Sequence, residues 1–305
     1  MLTSHEVPQI PGRFGLLLLD EVHTSAAKGF RDVYPTIDAR CRVGLTATLV
    51  REDGRVADLS YLTGPVLFQE SWQRLVQAGV LAPVRCFEVR CPMTPVFYDA
   101  YLRAPHRHRL VMTALNPRKL AVLQFLVRFH AARRHKTIVF CDSIVALDEI
   151  ARRVGCPVYS GEVPAHEREA VLARFRDGTA ACVAMSSIGD TSLDIPDATV
   201  VVQASTHHGS RRQQVQRLGR IARVAAGKDA GYFYSLTSTD TAEERFARRR
   251  QRFLENVGFG FEAVALDATP MPDAEQRAML RAALARSDRR FSARGRAAQP
   301  GGSLC

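Results

Sequence analysis

An α/β fold built on parallel sheets is the class this sequence predicts. Three observations carry the prediction. From Lys136 onward, short apolar runs alternate with helical periodicities in a βαβα series, the pattern of a parallel sheet covered by helices. Near the other end, Phe14–Leu19 (FGLLLL) is an unbroken apolar run of strand length, and such runs are buried on both faces in parallel sheets. A second short strand, Val43–Thr46, follows, so residues 1–70 read as strand, helix, strand, then a loop and turn.

The elements follow in order. A helix is predicted around Glu70–Ala78, with Gly79 as its C-cap. Val84–Arg90 reads as a strand, Cys91–Pro95 as a turn and Val96–Ala114 as an Arg- and His-rich helical insert. Asn116–Ala132 is a helix with Asn116 as cap, Pro117 in the first turn, and Leu120, Leu123, Leu126, Val127 and His130 at helical spacing. Strands are expected at Thr137–Cys141, Pro157–Tyr159, Ala181–Met185, Thr199–Gln203 and Tyr232–Leu236. Helices are expected at Ile144–Val154, Pro164–Arg176, Arg211–Val224 and Thr241–Asn256. After about Leu266 the chain turns Ala-, Arg-, Gly- and Pro-rich and reads as a frayed helix at Asp273–Ala285 with disorder at Gln299–Cys305.

Composition narrows the function classes. The 305 residues are 46% apolar and 24% charged, enough for a sizeable core in about two domains. A formal net charge of +11, from 42 Lys and Arg against 31 Asp and Glu, favours a polyanionic partner such as nucleic acid. Part of that charge is a basic tail, since Arg281–Arg296 holds six arginines against one aspartate. The seven cysteines form no C-x-x-C pair, which argues against a zinc site or a disulfide framework and for a reducing compartment. No stretch reads as a bilayer span, and the first residues lack the basic start and apolar core of a signal peptide.

Asp20-Glu21-Val22-His23 stands directly behind the first apolar strand. Ligands of parallel sheets bind beyond the carboxyl ends of the strands. Two carboxylates there suit a nucleotide hydrolase, the first holding Mg²⁺ and the second orienting or deprotonating the attacking water. On spacing alone, a strand ending in solvated acids fits as well. Gln213–Arg223 (QQVQRLGRIAR) places Gln213, Gln216, Arg220 and Arg223 on one helical face, a clamp for a transferring phosphoryl group, with Gly219 permitting close approach. Ser186–Pro196 (SSIGDTSLDIP), behind an apolar strand, offers Gly189, Asp190 and hydroxyls to phosphate and ribose, or is a polar loop with an N-cap. Thr46 and Thr48 could bridge the acidic pair to a neighbouring lobe. Arg51-Glu52-Asp53 is a charged triplet at a turn, where a solvated turn fits equally.

Taken together, LLLLDEVH, GLTATLVREDG, SSIGDTSLDIP and QRLGRIAR, in this order, resemble superfamily-two helicase motifs II, III, V and VI. The Arg-Glu-Asp triplet, CPMTPVFYDAYL, HHGSRRQ and GYFYSLTSTDT narrow the resemblance to the XPB family, the DNA translocase of transcription factor TFIIH, over roughly residues 14–260. The resemblance implies RecA-like lobes: the C-terminal part of a first lobe at 1–85, a connector with a thumb-like insert at 86–135, a complete second lobe at 136–262 and a largely disordered tail at 263–305. It implies ATP and Mg²⁺ as cofactors, with Asp20 binding Mg²⁺, Glu21 as catalytic base, and Arg220 and Arg223 as arginine fingers. Gly189, Asp190 and Gln216 would contact nucleotide, and His23, Thr46 and Thr48 would couple hydrolysis to movement. Arg51, Glu52 and Asp53 would match the DNA-opening element and Phe97–Asn116 the element that packs on DNA. Double-stranded DNA and TFIIH subunits are the implied partners, and the nucleus the implied location, or a bacterial or archaeal cytoplasm.

The sequence departs from this pattern in one respect. It contains no G-x-x-x-x-G-K-[ST] phosphate loop; its only Gly-Lys, Gly227-Lys228, is followed by Asp229 and comes after motif VI. The first lobe is therefore expected to lack several strands and to leave sheet edges and apolar surface exposed. Two readings follow: part of a 3′–5′ DNA helicase, or a non-catalytic module that binds DNA or TFIIH. An RNA helicase of the DEAD type fits less well, because the box is D-E-V-H and the Arg-Glu-Asp triplet belongs to the DNA branch.

Overall fold

The computed structural model describes residues 13–20, 22, 37–46, 63–186, 198–205, 211–225, 227–266 and 268–297. The chain divides into two units, 1–71 with 210–216, and 72–209 with 217–305. The helix expected between the first two strands lies outside the described residues.

In the first unit, β1 (Phe14–Leu19) and β2 (Ala39–Gly44) form a parallel two-stranded sheet, Phe14 opposite Ala39 and Leu19 opposite Gly44. The first strand stands where predicted, whereas the second begins four residues before the expected Val43–Thr46 and ends at Gly44, and β1 is not buried on both faces. Leu16 is 52% and Leu18 58% exposed. Burial on both faces needs a covering layer on each side, and Leu16 and Leu18 stay in water.

The second unit begins at α1 (Trp72–Gln77) and holds a seven-stranded parallel sheet ordered β5-β6-β4-β7-β8-β3-β9. Its strands are β3 (Val84–Cys91), β4 (Lys136–Phe140), β5 (Val158–Tyr159), β6 (Cys182–Met185), β7 (Ala198–Gln203), β8 (Gly231–Ser238) and β9 (Phe261–Val264). Gly79 ends the α1 turn at φ +70, as expected of a C-cap. The α2 (Pro95–Arg103), α3 (His106–Ala114), α4 (Pro117–Ala131), α5 (Ile144–Val154) and α9 (Asp273–Ala297) helices share one core with the face of the sheet that carries Val89, Val139, Ala184, Val202 and Leu236. The alternate residues Ile138, Phe140, Val183, Val201 and Phe233 are also buried, so both faces are covered. Three more helices are α6 (Ala165–Arg176), α7 (Arg211–Ile221) and α8 (Ala242–Val257).

Local chemistry sets the helix ends. Asn116 Oδ1 accepts from Arg118 N at 3.1 Å with Pro117 in the first turn, and Ser143 Oγ accepts from Ala146 N at 3.3 Å. Gly155, at φ +76, closes α5 in the left-handed conformation. Thr241 Oγ1 accepts from Glu243 N at 3.2 Å at the start of α8, where Glu243 and Glu244 complement the helix dipole.

Three expectations change. The boundary falls at Trp72, because β3 lies between β8 and β9 in the large sheet. The residues expected to connect two lobes are thus part of the second unit, and α2 and α3 bury Phe97, Tyr101, Val111 and Met112 in its core. The region after 263 is ordered through α9, which buries Met279, Leu280 and Ala283 against that core. Thr94 Oγ1 donates to Gln276 Oε1 at 2.6 Å, and Arg153 pairs with Glu275 at 2.9 Å. A tail read as largely disordered is held by an apolar stripe and paired charges. Finally, His106–Ala131 has the length and composition of a membrane-crossing helix, against the sequence expectation. It is two helices that meet at Leu115–Asn116, and most of it is buried in the core.

Candidate nucleotide and nucleic-acid site

In the first unit the carboxyl ends of β1 and β2 are stitched together. Leu45 N donates to Leu19 O at 2.8 Å, and Val22 N donates to Leu45 O at 3.0 Å. Val22 is buried against Gly44, where an added Cβ would stand 2.9 Å from both Val22 methyls. Glycine at 44 is therefore what lets the chain after β1 fold back over β2. The consequence is positional: Asp20, exposed, and Thr46, half-buried, leave neighbouring strand ends on the side where parallel sheets bind ligands. An exposed carboxylate is a suitable oxygen ligand for a hard cation. Glu21, His23, Thr48, Arg51, Glu52 and Asp53 lie outside the described residues.

In the second unit, α5 after β4 covers one face, and α7 after β7 has its Arg217 on the other, against Phe140. The carboxyl ends of β4 and β7 therefore flank a switch in the direction of the connections, the place where open α/β sheets take ligands. Asp142 N donates to Ser205 Oγ at 2.8 Å across this crevice. Arg217, fully buried, lies with its guanidinium 4.2 Å from the centre of the Phe140 ring and 3.6 Å from Asp142 Oδ1. It is an anchor that sequence reasoning passed over; it shares a helical face with Leu218 and Ile221, but that spacing does not by itself say that an arginine is buried.

Beside it runs a buried polar network. Lys119 Nζ donates to Glu243 Oε2 at 2.8 Å and to Ala204 O at 2.9 Å, and Ser238 N donates to the same Glu243 oxygen at 2.9 Å. Asn116 Nδ2 donates to Cys91 O at 2.8 Å and to Ser238 Oγ at 3.1 Å. The ends of β3, β7 and β8 are thereby locked to the starts of α4 and α8. Burial lowers the Arg250 guanidinium to about 10, which leaves it charged at neutral pH. Its Nη2 donates to Ser235 Oγ at 3.2 Å. This set holds the strand ends rigid, as a binding edge requires.

The phosphate clamp differs from its expected form. Gln216 is half-buried on α7 and Arg220 is buried near its end. Helix α7 stops at Ile221, and the exposed Arg223 lies past it in an antiparallel bridge with Leu81. The backbone explains the early stop. Ala82 N takes the Ala222 carbonyl at 2.7 Å, and Gly231 passes so close that an added Cβ would stand 2.4 Å from Ile221 O. Arg220 and Arg223 are therefore not stacked on one helical face. Gly219 also differs: an added Cβ there meets nothing within 4 Å, so no contact among the described residues requires glycine. Gly189 and Asp190 lie outside the described residues.

Several of the exposed basic residues of α2 and α3 are already engaged. Arg103 pairs with Asp99 at 2.6 Å, Arg107 with Asp288 at 3.2 Å, and Arg109 donates to the Ala104 and Leu102 carbonyls. What the two helices present is thus less positive than their sequence.

Comparison with known proteins fits this anatomy. Residues 75–289, nearly the extent of the ordered second unit, match the model of the ERCC3/RAD25/XPB C-terminal helicase family, and residues 2–51 match that of the type III restriction enzyme res subunit. The chain is 44% identical over 256 residues to the general transcription and DNA repair factor IIH helicase/translocase subunit XPB of Danio rerio, covering 82% of this chain and 33% of that one. It is 45% identical over 255 residues to the XPB/SSL2 subunit of Saccharomyces cerevisiae, covering 82% and 30%. The chain thus spans about a third of the length of these curated relatives. Among solved structures, a fragment of a putative HsdR subunit of a type I restriction enzyme from Vibrio vulnificus aligns with a TM-score of 0.59 at 24% identity, covering 83% of this chain and 48% of that one, a likeness of fold alone. The parallel sheets, the motif order and a family match over well over half of its length agree: this chain belongs to the ERCC3/RAD25/XPB C-terminal helicase family.

Proposed function

We propose that this chain is the motor segment of an ATP-dependent 3′–5′ DNA translocase of the XPB type, working with TFIIH subunits in a nucleus, in transcription initiation and nucleotide-excision repair. The observation that supports it best is the stitched end of β1 and β2, which holds Asp20 and Thr46 at the ligand side of a parallel sheet. Bound MgATP supplies the phosphoryl group and a cation that neutralises its charge. Asp20 would hold that cation, as carboxylates do in Mg²⁺ sites. Glu21 takes a proton from the attacking water, and Arg220 and Arg223 bind the charge that builds on the phosphate oxygens. Gln216, Gly189 and Asp190 contact nucleotide; His23, Thr46 and Thr48 link hydrolysis to movement; Arg51, Glu52 and Asp53 meet the duplex.

The test is Glu21→Gln in this chain joined to an upstream region that carries a phosphate loop. DNA-stimulated ATP hydrolysis should be lost while duplex binding is kept, and a variant that still hydrolyses ATP removes the base assignment. Duplex binding by this chain should weaken steeply with salt, because it rests on phosphate contacts. A second reading is favoured by the sequence itself. The 305 residues hold no phosphate loop, so this chain alone should bind duplex without hydrolysing ATP. Turnover by the isolated chain would overturn that reading.

A further inference from the structure

Among the described cysteines, Cys156 and Cys182 stand apart from the other four. Cys86 and Cys141 are buried, with thiols pushed up to about 12 by burial, and Cys91 is pushed to about 11. Such thiols are inert. Cys41 is exposed on β2.

Cys156 and Cys182 are neighbours beside the start of the β5–β6 pairing. Val158 is opposite Ala184 and Tyr159 opposite Met185, and Ala184 N donates to Pro157 O at 2.9 Å. Cys182 opens β6 two residues before Ala184, and Cys156 stands two residues before Val158, just outside β5, with its N–H on Ala151 O at 3.1 Å. Both border the same core, together with Val158 and Ala184. The two side chains are in hydrogen-bond contact, which brings the sulfurs within reach of each other. Cys156 is half-buried at the sheet edge, while Cys182 is buried behind it. The Cys182 thiol donates to the Cys156 sulfur, which lowers the Cys156 thiol and raises that of Cys182. Cys156 is the more accessible of the two sulfurs, and its neighbour is positioned to resolve it.

We propose that Cys156 and Cys182 form a dithiol site of oxidative modification, taking hydrogen peroxide at Cys156 and closing to a disulfide between the start of β6 and the segment just ahead of β5. The Cys156 thiolate attacks one peroxide oxygen. The O–O bond breaks, the leaving hydroxide takes a proton to become water, and the sulfur, oxidised by two electrons, becomes a sulfenic acid. The Cys182 sulfur then attacks it. The S–S bond forms, the S–O bond breaks, and the departing hydroxide leaves as water with the Cys182 proton.

The test is peptide mapping by mass spectrometry, without reductant, of the folded 305-residue chain after hydrogen peroxide treatment. The expected product is a Cys156–Cys182 linked peptide lighter by two hydrogens than its reduced parts and reversed by dithiothreitol. In Cys182→Ser, with the resolving thiol gone, labelling of Cys156 by dimedone should rise severalfold over wild type. Sulfinic acid at Cys156 with Cys182 still reduced in the wild-type chain would overturn the proposal. So would linkage of Cys156 to any cysteine other than Cys182. The wild-type map decides the matter even if Cys182→Ser folds poorly.

Discussion

Strands β1 and β7 read alike in sequence and end differently. Both are short, uninterrupted, mostly apolar runs in parallel sheets. All six residues of β7 are buried between β4 and β8, whereas β1 has one partner strand among the described residues and leaves Leu16 and Leu18 largely in water. The apolar run makes each a strand, and the number of neighbours decides whether that strand has a core. The same contrast separates the polar groups. The large sheet ends in a buried, fully engaged pair, Lys119 and Glu243, 1% and 0% exposed; the small one carries the solvated pair Arg13–Asp38.

This contrast can be broken by substitution. Lys119→Ala strands the Glu243 carboxylate in the core and should cost about 3–5 kcal/mol in urea unfolding of the larger unit. Removing the solvated partner with Arg13→Ala should cost under about 0.5 kcal/mol. Equal losses would mean the two pairs are not in different environments. Next, Leu236→Ala, fully buried in β8, should cost about 2–5 kcal/mol, while Leu18→Ala on β1 should stay within about 0.5 kcal/mol.

A third effect belongs to the large unit alone. Burial lowers His130 to about 4, and its neighbour His135 is lowered too. His130 Nε2 lies 3.0 Å from the Tyr234 hydroxyl and its Nδ1 3.0 Å from His135 Nδ1. The folded state thus binds fewer protons than the unfolded state between the ordinary value of 6.5 and about 4. Stability is full above that window and falls as pH drops through it, by up to about 3 kcal/mol for His130. Unfolding at pH 7 and pH 4.5 should differ less in His130→Gln than in wild type. The smallest effect sharpens the small sheet. Gly44→Ala should disturb the Val22 contact by about 1 kcal/mol and speed hydrogen exchange at the Leu45 and Val22 amides. Val22→Ala added to it should restore protection.

Much of this anatomy was legible. Asn116-Pro117 announced α4 because a capping side chain and a proline without N–H suit a first turn. The βαβα series announced the second sheet because its period changes with each element. The candidate site was partly legible: Asp20 and Thr46 could be placed at strand ends from the apolar runs before them. The one-face clamp of Arg220 and Arg223 was not, because helical periodicity does not register where a backbone bridge from Leu81 ends the helix. Helix α9 was half legible: its start at Asp273 was read, but its length and burial were not, because Met279, Leu280 and Ala283 are too few to outweigh the arginines around them in a reading by composition.

The sequence by itself determined which segments are strands and helices, where caps fall, and which family the motifs resemble, since those depend on residues near one another in the chain. Tertiary structure decided that β3 joins the large sheet, that Arg217 and Lys119 turn inward, and that Cys156 faces Cys182. Each of these depends on pairing between segments far apart in sequence. The free energy of a buried charge or a paired thiol is set by what stands opposite it, which local pattern does not specify.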